Sequence, residues 1–190
     1  MGKDLTSALR PAIVMTILFA VLLGLAYPLA MTGIAQALFP WRANGSLVRD
    51  ADGRVLGSAV VGQAFVADRY FRTRPSAAGK GYDALASSGS NLAPTARALA
   101  DRTAADVARW RGEGVRGALP ADLVTASGSG LDPDLSPAAA LAQVPRVARV
   151  RGIDARRVRA LVQQQVEAPL LGERHVDVLA LNRALDALPR

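Results

Sequence analysis

The feature that most constrains this chain is the stretch from Pro11 to Trp41, which contains no charged side chain. A helix from Ala12 to Phe39 would be about 42 Å long at about 1.5 Å per residue. The hydrocarbon core of a bilayer is roughly 30 Å thick, so such a helix spans it with tilt or with its last turns among the headgroups. We therefore predict a transmembrane helix over residues 12–39, preceded by a short N-terminal segment, residues 1–11.

A cleaved signal peptide is the alternative interpretation of the same stretch. Lys3 and Arg10 form a positively charged lead, and small residues occur near Ala30. The apolar part of a signal peptide is usually only about 7–15 residues long, and this run is nearly twice that length. A secreted protein cleaved near Ala30 stays open as an alternative. Pro28 removes one backbone hydrogen bond and predicts a kink in the helix.

The net charge of the chain indicates which classes of binding partner it could have. The chain has a formal net charge of +7, which suits nucleic acid, anionic lipid or an acidic protein. We expect no nucleic-acid partner, because aromatic residues are scarce, the arginines are dispersed and no nucleic-acid-binding motif is present. The one local cluster predicts a solvated polar face or, alternatively, a contact patch for an anion. Its members are Arg146, Arg149, Arg151, Arg156, Arg157 and Arg159.

The first half of residues 42–190 predicts short strands and one helix. Leu47–Arg49 and Arg54–Val61 flank an Asp-Gly pair, which favours a hairpin turn. Another extended piece is predicted at Phe65–Phe71. Pro94 is placed as the first residue of a helix that runs to about Arg111.

The second half predicts helices. Ser136 and Pro137 form a cap and first-turn pair for a helix that Pro145 should kink or break. Asp154 is predicted to cap the next helix, and the last helix is predicted to start at Asp177. The predicted apolar stripe of the helix after Asp154 is Val158, Leu161, Val162 and Val166. That of the last helix is Val178, Leu181, Leu185 and Leu188. The predicted fold class is a single N-terminal transmembrane helix followed by a small α+β domain.

The residue types needed for self-sufficient catalysis are missing. Cysteine is absent and His175 is the single histidine, which excludes thiol–imidazole catalysis and Cys/His zinc sites. We expect a structural role for His175, and a capped turn rather than a cation site at Asp132 and Asp134. Gly79-Lys80-Gly81 lacks the other positions of a phosphate-binding loop. The chain is therefore not predicted to be an enzyme; an anchored extracytoplasmic ligand-binding or sensor domain is the rival function.

Two glycine- and serine-rich loops, residues 72–91 and 120–134, separate these elements. Long loops normally lie at the surface and carry function. We predict that their polar side chains contact a partner; the candidates are Arg74, Ser76, Ser90, Asn91, Thr125 and Ser127. The alternative is that Asn91 caps the following helix and Arg74 forms an internal ion pair.

Four blocks in order resemble one known family. They are Tyr70-Phe71-Arg72-Thr73-Arg74-Pro75-Ser76-Ala77, then Ser88-Gly89-Ser90-Asn91-Leu92-Ala93-Pro94-Thr95, then Leu123–Pro133 with Ser136–Ala139, and finally Val178–Asn182 with Ala184–Asp186. Together with the single N-terminal span, they resemble the C subunit of the Kdp-type potassium-transporting P-type ATPase. Asp134, Ala93 and Asp177 stand where the family usually has His, Gly and Asn, and residues 167–173 form a shortened segment.

The resemblance implies an accessory subunit of an inner-membrane complex that imports potassium with ATP. Its implied partners are a potassium-pathway subunit, the P-type ATPase subunit, a small hydrophobic subunit and the lipid bilayer. It further implies a catalytic chaperone that raises the ATP affinity of the ATPase subunit, so that ATP and potassium belong to the complex; we assign no cofactor and no metal to this chain. With the short basic N-terminus, it also implies a cytoplasmic N-terminus and an extracytoplasmic, periplasmic domain over residues 42–190.

Overall fold

The computed structural model describes the backbone of residues 2–188 and the side chains of residues 7–188. Met1 and residues 189–190, which belong to the predicted segments 1–11 and 42–190, lie outside the described residues. The chain divides into two compact units, Met1–Leu47 and Val48–Arg190.

The first unit is one continuous helical rod followed by a short helical turn. It consists of α1 (Gly2–Val21), a π-helical turn (Leu22–Ala26) and α2 (Tyr27–Leu38), followed by α3 (Pro40–Ala43). Within the rod, Ser7–Leu38 is long and apolar enough to cross a membrane, judged by length and composition alone. The rod begins ten residues before the predicted start at Ala12 and includes Pro11.

The α-helical rod is interrupted by a π-helical turn close to Pro28. Tyr27 donates its backbone N–H to the carbonyl of Leu22, five residues earlier. A proline ring clashes with the carbonyl four residues before it, and widening the preceding turn is a common way for a helix to accommodate a local disruption. The π-turn ends at Ala26, two residues before Pro28.

Two short strands, β1 (Leu47–Arg49) and β2 (Val55–Ser58), form a two-stranded sheet at the start of the second unit, whose boundary falls within β1. The predicted turn joins them: Gly53 has a φ of +80° and donates its N–H to the Asp50 carbonyl at 3.1 Å. The predicted strand at Phe65–Phe71 is wrong. This segment contains a turn, in which Tyr70 donates to the Ala67 carbonyl, and side chains of distant helices satisfy its backbone groups instead.

The helices of this unit are α4 (Arg97–Gly112), α5 (Pro137–Arg151), α6 (Ala155–Gln164) and α7 (Val178–Asp186). A 3₁₀ turn (Ala121–Leu123) lies in the second loop. Strands β3 (Asp134–Leu135) and β4 (Val176–Asp177) pair antiparallel, with Asp134 opposite Asp177 and Leu135 opposite Val176. The two helix caps predicted from sequence are confirmed: the side chains of Ser136 and Asp154 each accept a backbone N–H of the first turn. The last helix begins at Val178, one residue after the predicted start at Asp177, and the Asp177 side chain caps it.

The predicted helix start at Pro94 is wrong, and so is the predicted break at Pro145. Pro94 is not the first residue of α4; it lies in a turn closed by Ala96 N–H donating to the Ala93 carbonyl, and turns are the other position that proline favours. Pro145 neither ends nor breaks α5, which continues to Arg151. One missing hydrogen bond is outweighed there because α5 buries residues on both sides of the proline, including Val144 and Val147.

The core lies between α5, α6 and α7, with Phe71, Trp110 and Leu123 added from the loops and α4. Both predicted stripes are confirmed. Val158, Leu161, Val162, Val178, Leu181 and Leu185 are buried, and Val166 and Leu188 pack against them.

Candidate functional site

The two glycine-rich loops pack against each other, and Arg74 links them. Arg74 Nη1 lies 2.9 Å from Asp132 Oδ2, and its other nitrogens lie 3.3 Å from Thr125 Oγ1 and 3.4 Å from the Thr125 carbonyl. The Arg74 and Asp132 side chains are only about a quarter exposed, at 24% and 25%. Of the two roles considered for Arg74, the structure shows the internal ion pair.

Ser76 and Ser127 converge on Gly130. Ser76 Oγ donates to the Gly130 carbonyl at 2.6 Å, and Ser127 Oγ accepts the Gly130 N–H at 2.8 Å. Gly130 has a φ of +68°, and a Cβ there would lie 2.7 Å from the backbone nitrogen of Ala78. Only glycine fits this point of closest approach. Ser87 adds a bond from its Oγ to the Ser129 carbonyl at 2.9 Å.

Ser90 and Asn91 are not part of this hydrogen-bonded cluster. Ser90 is half-buried, and Asn91 is exposed with a φ of +48°. Among the described residues, neither side chain makes a hydrogen bond. The proposed cap is wrong, because the residue that precedes α4 is Ala96, which provides no side-chain cap. Asn is one of the residues that tolerates this left-handed backbone conformation.

Two buried amides, which sequence reasoning missed as site residues, hold the start of the first loop. Asn182 Oδ1 accepts the Phe71 N–H at 2.8 Å, while Asn182 Nδ2 donates to the Phe71 carbonyl at 2.9 Å. Gln143 does the same for Arg72, at 2.8 and 2.9 Å. The signal for Asn182 was visible: a polar residue next to Leu181 on the apolar stripe of α7.

An ion network flanks these amides. Arg146 is 4% exposed and donates to the Tyr70 carbonyl at 3.0 Å and to Gln143 Oε1 at 2.7 Å. Glu113 forms ion pairs with both Arg72 and Arg146. Burial lowers the pKa of Arg146, and the positive charge of Arg72 lowers it further, whereas Glu113 raises it.

The predicted solvated arginine face is therefore wrong for two of its six members. Arg146 turns inward, and the Arg151 side chain is 9% exposed and donates to Asp186 Oδ1 at 2.6 Å. Arg149, Arg156, Arg157 and Arg159 are exposed. The sequence could not distinguish the two buried arginines from the four exposed ones. The hydrogen-bond partners of Arg146 and Arg151 are carbonyls and carboxylates from distant parts of the chain.

The strand pair β3–β4 carries a cluster of ionisable groups around His175. His175 Nε2 lies 3.9 Å from Asp134 Oδ2 and 3.8 Å from Glu167 Oε2. A hydrogen bond to the Glu173 carbonyl raises the pKa of His175, and the nearby carboxylates raise it further. Burial raises the pKa of both Asp134 and Asp177.

A cavity of about 530 Å³ lies between this cluster and the Arg74–Asp132 pair, with Asp122, Thr125 and His175 in its wall. Asp132 Oδ1 accepts the Asp134 N–H at 3.1 Å, the capped turn that was predicted. Within residues 7–188, no group of three or more His, Cys, Asp or Glu side chains is placed to hold a metal ion.

Comparisons with known proteins place the whole chain in one family. The family model described as "KdpC: K+-transporting ATPase, c chain" matches residues 9–187. Proteins named "Potassium-transporting ATPase KdpC subunit" are similar along nearly their full length. The one from Caulobacter vibrioides (strain NA1000 / CB15N) is 61% identical over 184 residues, covering 95% of this chain and 93% of that protein.

Relatives from other genera agree. The one from Rhodopseudomonas palustris (strain BisB5) is 54% identical over 197 residues, covering 96% of this chain and 98% of the relative. The one from Methylorubrum populi is 53% identical over 197 residues, with the same coverage. The resemblance found in the four sequence blocks is confirmed, and the chain belongs to the KdpC family, the c chain of K+-transporting ATPases.

Proposed function

We propose that this chain is a non-catalytic accessory subunit of an ATP-driven, high-affinity potassium import complex. The observation that carries the proposal is the family match over residues 9–187, joined to relatives named as subunits of a potassium-transporting ATPase. Its partners are the potassium-pathway subunit, the P-type ATPase subunit and a small hydrophobic subunit. Ser7–Leu38 anchors it in the inner membrane, which agrees with the length and composition of that helix.

The packing of the loops supports a scaffold role. Arg74, Ser76 and Thr125 use their polar atoms to join the two loops, and Ser127 holds Gly130 within the second loop. Side chains engaged in this way form a rigid surface that a partner can recognise without paying the entropy of ordering long loops. We propose that this joined pair of loops, with Ser90 and Asn91 at its edge, contacts another subunit.

Assistance to the ATPase subunit is the finer part of the proposal. The chain acts as a catalytic chaperone that raises the ATP affinity of its partner, and the purified chain itself hydrolyses no ATP. The test compares KM for ATP in the complex with and without the chain. A several-fold higher KM without the chain is expected, and KM unchanged in a complex that assembles without it would contradict the chaperone role.

For topology, we propose a cytoplasmic N-terminus and a periplasmic domain over residues 42–190. Long domains can be exported whatever their charge, so the basic surface is compatible with export. Protease added to intact spheroplasts should digest the domain and leave a cytoplasmic marker protein whole. Full protection of the domain, in spheroplasts whose known periplasmic proteins are digested, would contradict this topology.

A further inference from the structure

A cavity of about 500 Å³ lies between α4 and residues 64–82, away from the Asp134–His175 cluster. One part of its wall is apolar, formed by Phe65, Val66, Pro75 and Trp110. The other part is basic, and its charged lining residues are Arg72, Arg74, Arg102, Arg109 and Asp106. The cavity therefore combines four guanidinium groups with one carboxylate and an apolar face.

Three of these arginines have a carboxylate partner within the domain. Arg72 pairs with Glu113, Arg74 with Asp132, and Arg109 with Asp106. Arg102 differs. Its Nε, like that of Arg72, is buried and has no hydrogen-bond partner in the part of the chain that the structure describes, but unlike Arg72 it forms no ion pair there.

An unpaired guanidinium in a partly buried wall favours an incoming anion. A buried polar group without a partner is destabilising, and a carboxylate matches the planar fork of arginine with two parallel hydrogen bonds. The cavity is far larger than a single carboxylate or phosphate group. Val66 is 82% exposed, so an occupant that also covers the apolar wall gains hydrophobic burial.

We propose that this cavity is a docking site for an acidic side chain, Asp or Glu, carried on an apolar-flanked segment of another subunit. Arg102 holds the carboxylate, and the wall of Phe65, Val66 and Trp110 receives the flanking residues. The inference rests on the proposed function and adds to it the chemistry of the partner.

The test uses the tagged full-length chain expressed with the other subunits and purified from detergent-solubilised membranes. The measured quantity is the fraction of each variant that retains the large subunits at moderate salt. Arg102→Ala is expected to weaken retention about tenfold or more, the effect of removing one partner of a buried charge pair. Arg102→Lys, which keeps the charge but not the fork, should be intermediate.

Arg97→Ala is the matched control. Arg97 lies on the same helix, is 90% exposed and pairs with Asp101, and it does not line the cavity. It should retain the large subunits like the wild type. Since Arg102 is partly buried, melting temperatures are measured as well, and Arg102→Gln, which keeps the aliphatic stem and a neutral polar end, replaces the alanine variant if that variant unfolds.

Three results would overturn the proposal. The first is wild-type retention by a folded Arg102→Ala or Arg102→Gln variant. The second is an equal loss with Arg97→Ala, which would show a general effect of charge on α4. The third is a rise in melting temperature with millimolar inorganic phosphate that Arg102→Ala abolishes, which would assign the cavity to a small anion. Failure of the wild type to retain any subunit would instead contradict the proposed function, and the docking site with it.

Discussion

At the scale of single residues, the first loop depends on side chains that replace a neighbouring strand. Asn182 and Gln143 offer an oxygen and an N–H from one amide group, the same pair of groups that a backbone residue offers in a ladder. Phe71 and Arg72 are therefore satisfied although no strand lies beside them. The family block that begins at Tyr70 is in this way fastened to α5 and α7.

Asn182→Ala tests this arrangement. It leaves the buried N–H and carbonyl of Phe71 without partners, and each unsatisfied group costs about 1–3 kcal/mol. We expect the free energy of unfolding to fall by about 2–4 kcal/mol, measured by chemical denaturation of the purified chain. Arg183→Ala, an exposed neighbour on α7, is the control and should change it by less than about 0.5 kcal/mol. Equal losses for the two variants would show that the amide is unimportant.

His175 gives the fold a pH dependence whose sign is fixed. Its pKa is raised in the folded chain by the hydrogen bond to the Glu173 carbonyl and then by Asp134, Glu167 and Asp177. A raised pKa means that the folded state binds the proton more tightly than the unfolded state. The stabilisation is therefore complete below the unfolded pKa of about 6.5 and is lost as pH rises through the folded pKa.

The measurement is the difference in melting temperature between the wild type and His175→Gln at several pH values. This difference should be larger at pH 6 than at pH 8.5, because only the wild type gains from protonation. Subtracting the variant removes the titration of groups that both proteins share. A difference that stays constant, or grows toward alkaline pH, would contradict the assigned direction.

At the scale of elements, sequence signals worked where the cause is local. The Asp-Gly turn, the caps at Ser136 and Asp154, and the stripes of α6 and α7 all depend on neighbouring residues. The strand predicted at Phe65–Phe71 failed because its hydrogen-bond partners are more than 70 residues away in sequence. The break predicted at Pro145 does not occur, because α5 is buried on both sides of the proline. That burial comes from tertiary packing, which the local sequence does not show.

The candidate site, too, could be predicted from the sequence only in part, because its contacts join distant residues. Arg74, Ser76, Thr125 and Ser127 were selected as polar residues of long loops, and the structure joins them into one cluster. Their mutual contacts could not be predicted, since glycine-rich loops have no periodicity from which pairing follows. Ser90 and Asn91 were selected by the same criterion and lie outside the hydrogen bonds of that cluster.

Two substitutions separate the helical core from the loop pair. Leu181 is fully buried on α7, so Leu181→Ala should cost about 2–5 kcal/mol of stability. Arg74→Ala removes a partly exposed ion pair and should cost about 1 kcal/mol, while weakening assembly with the large subunits. Denaturation and retention of those subunits are both measured.

Leu170→Ala is the matched control, because the same substitution at a 99% exposed leucine should leave stability nearly unchanged. If Arg74→Ala destabilises the domain as much as Leu181→Ala does, the loop pair serves the fold rather than partner binding.

At the scale of the whole molecule, the chain combines an apolar helical rod with a small domain of helices and short strands. Composition and patterning were sufficient to predict this division, because an uncharged stretch of membrane-spanning length is a property of sequence alone. The family resemblance came from four short blocks in order, three of which contain parts of the loops while the fourth contains Asn182, an amide that fastens them. We propose that Ser7–Leu38 anchors the chain in the membrane and that the joined loops recognise a partner subunit.

The most direct test of the account is co-purification of the tagged full-length chain from membranes of cells grown at limiting potassium. The chain should elute with the potassium-pathway and P-type ATPase subunits in a fixed ratio that further purification does not change. Elution of the chain alone, from membranes in which both large subunits are present and assembled with each other, would contradict its assignment as a subunit of the complex.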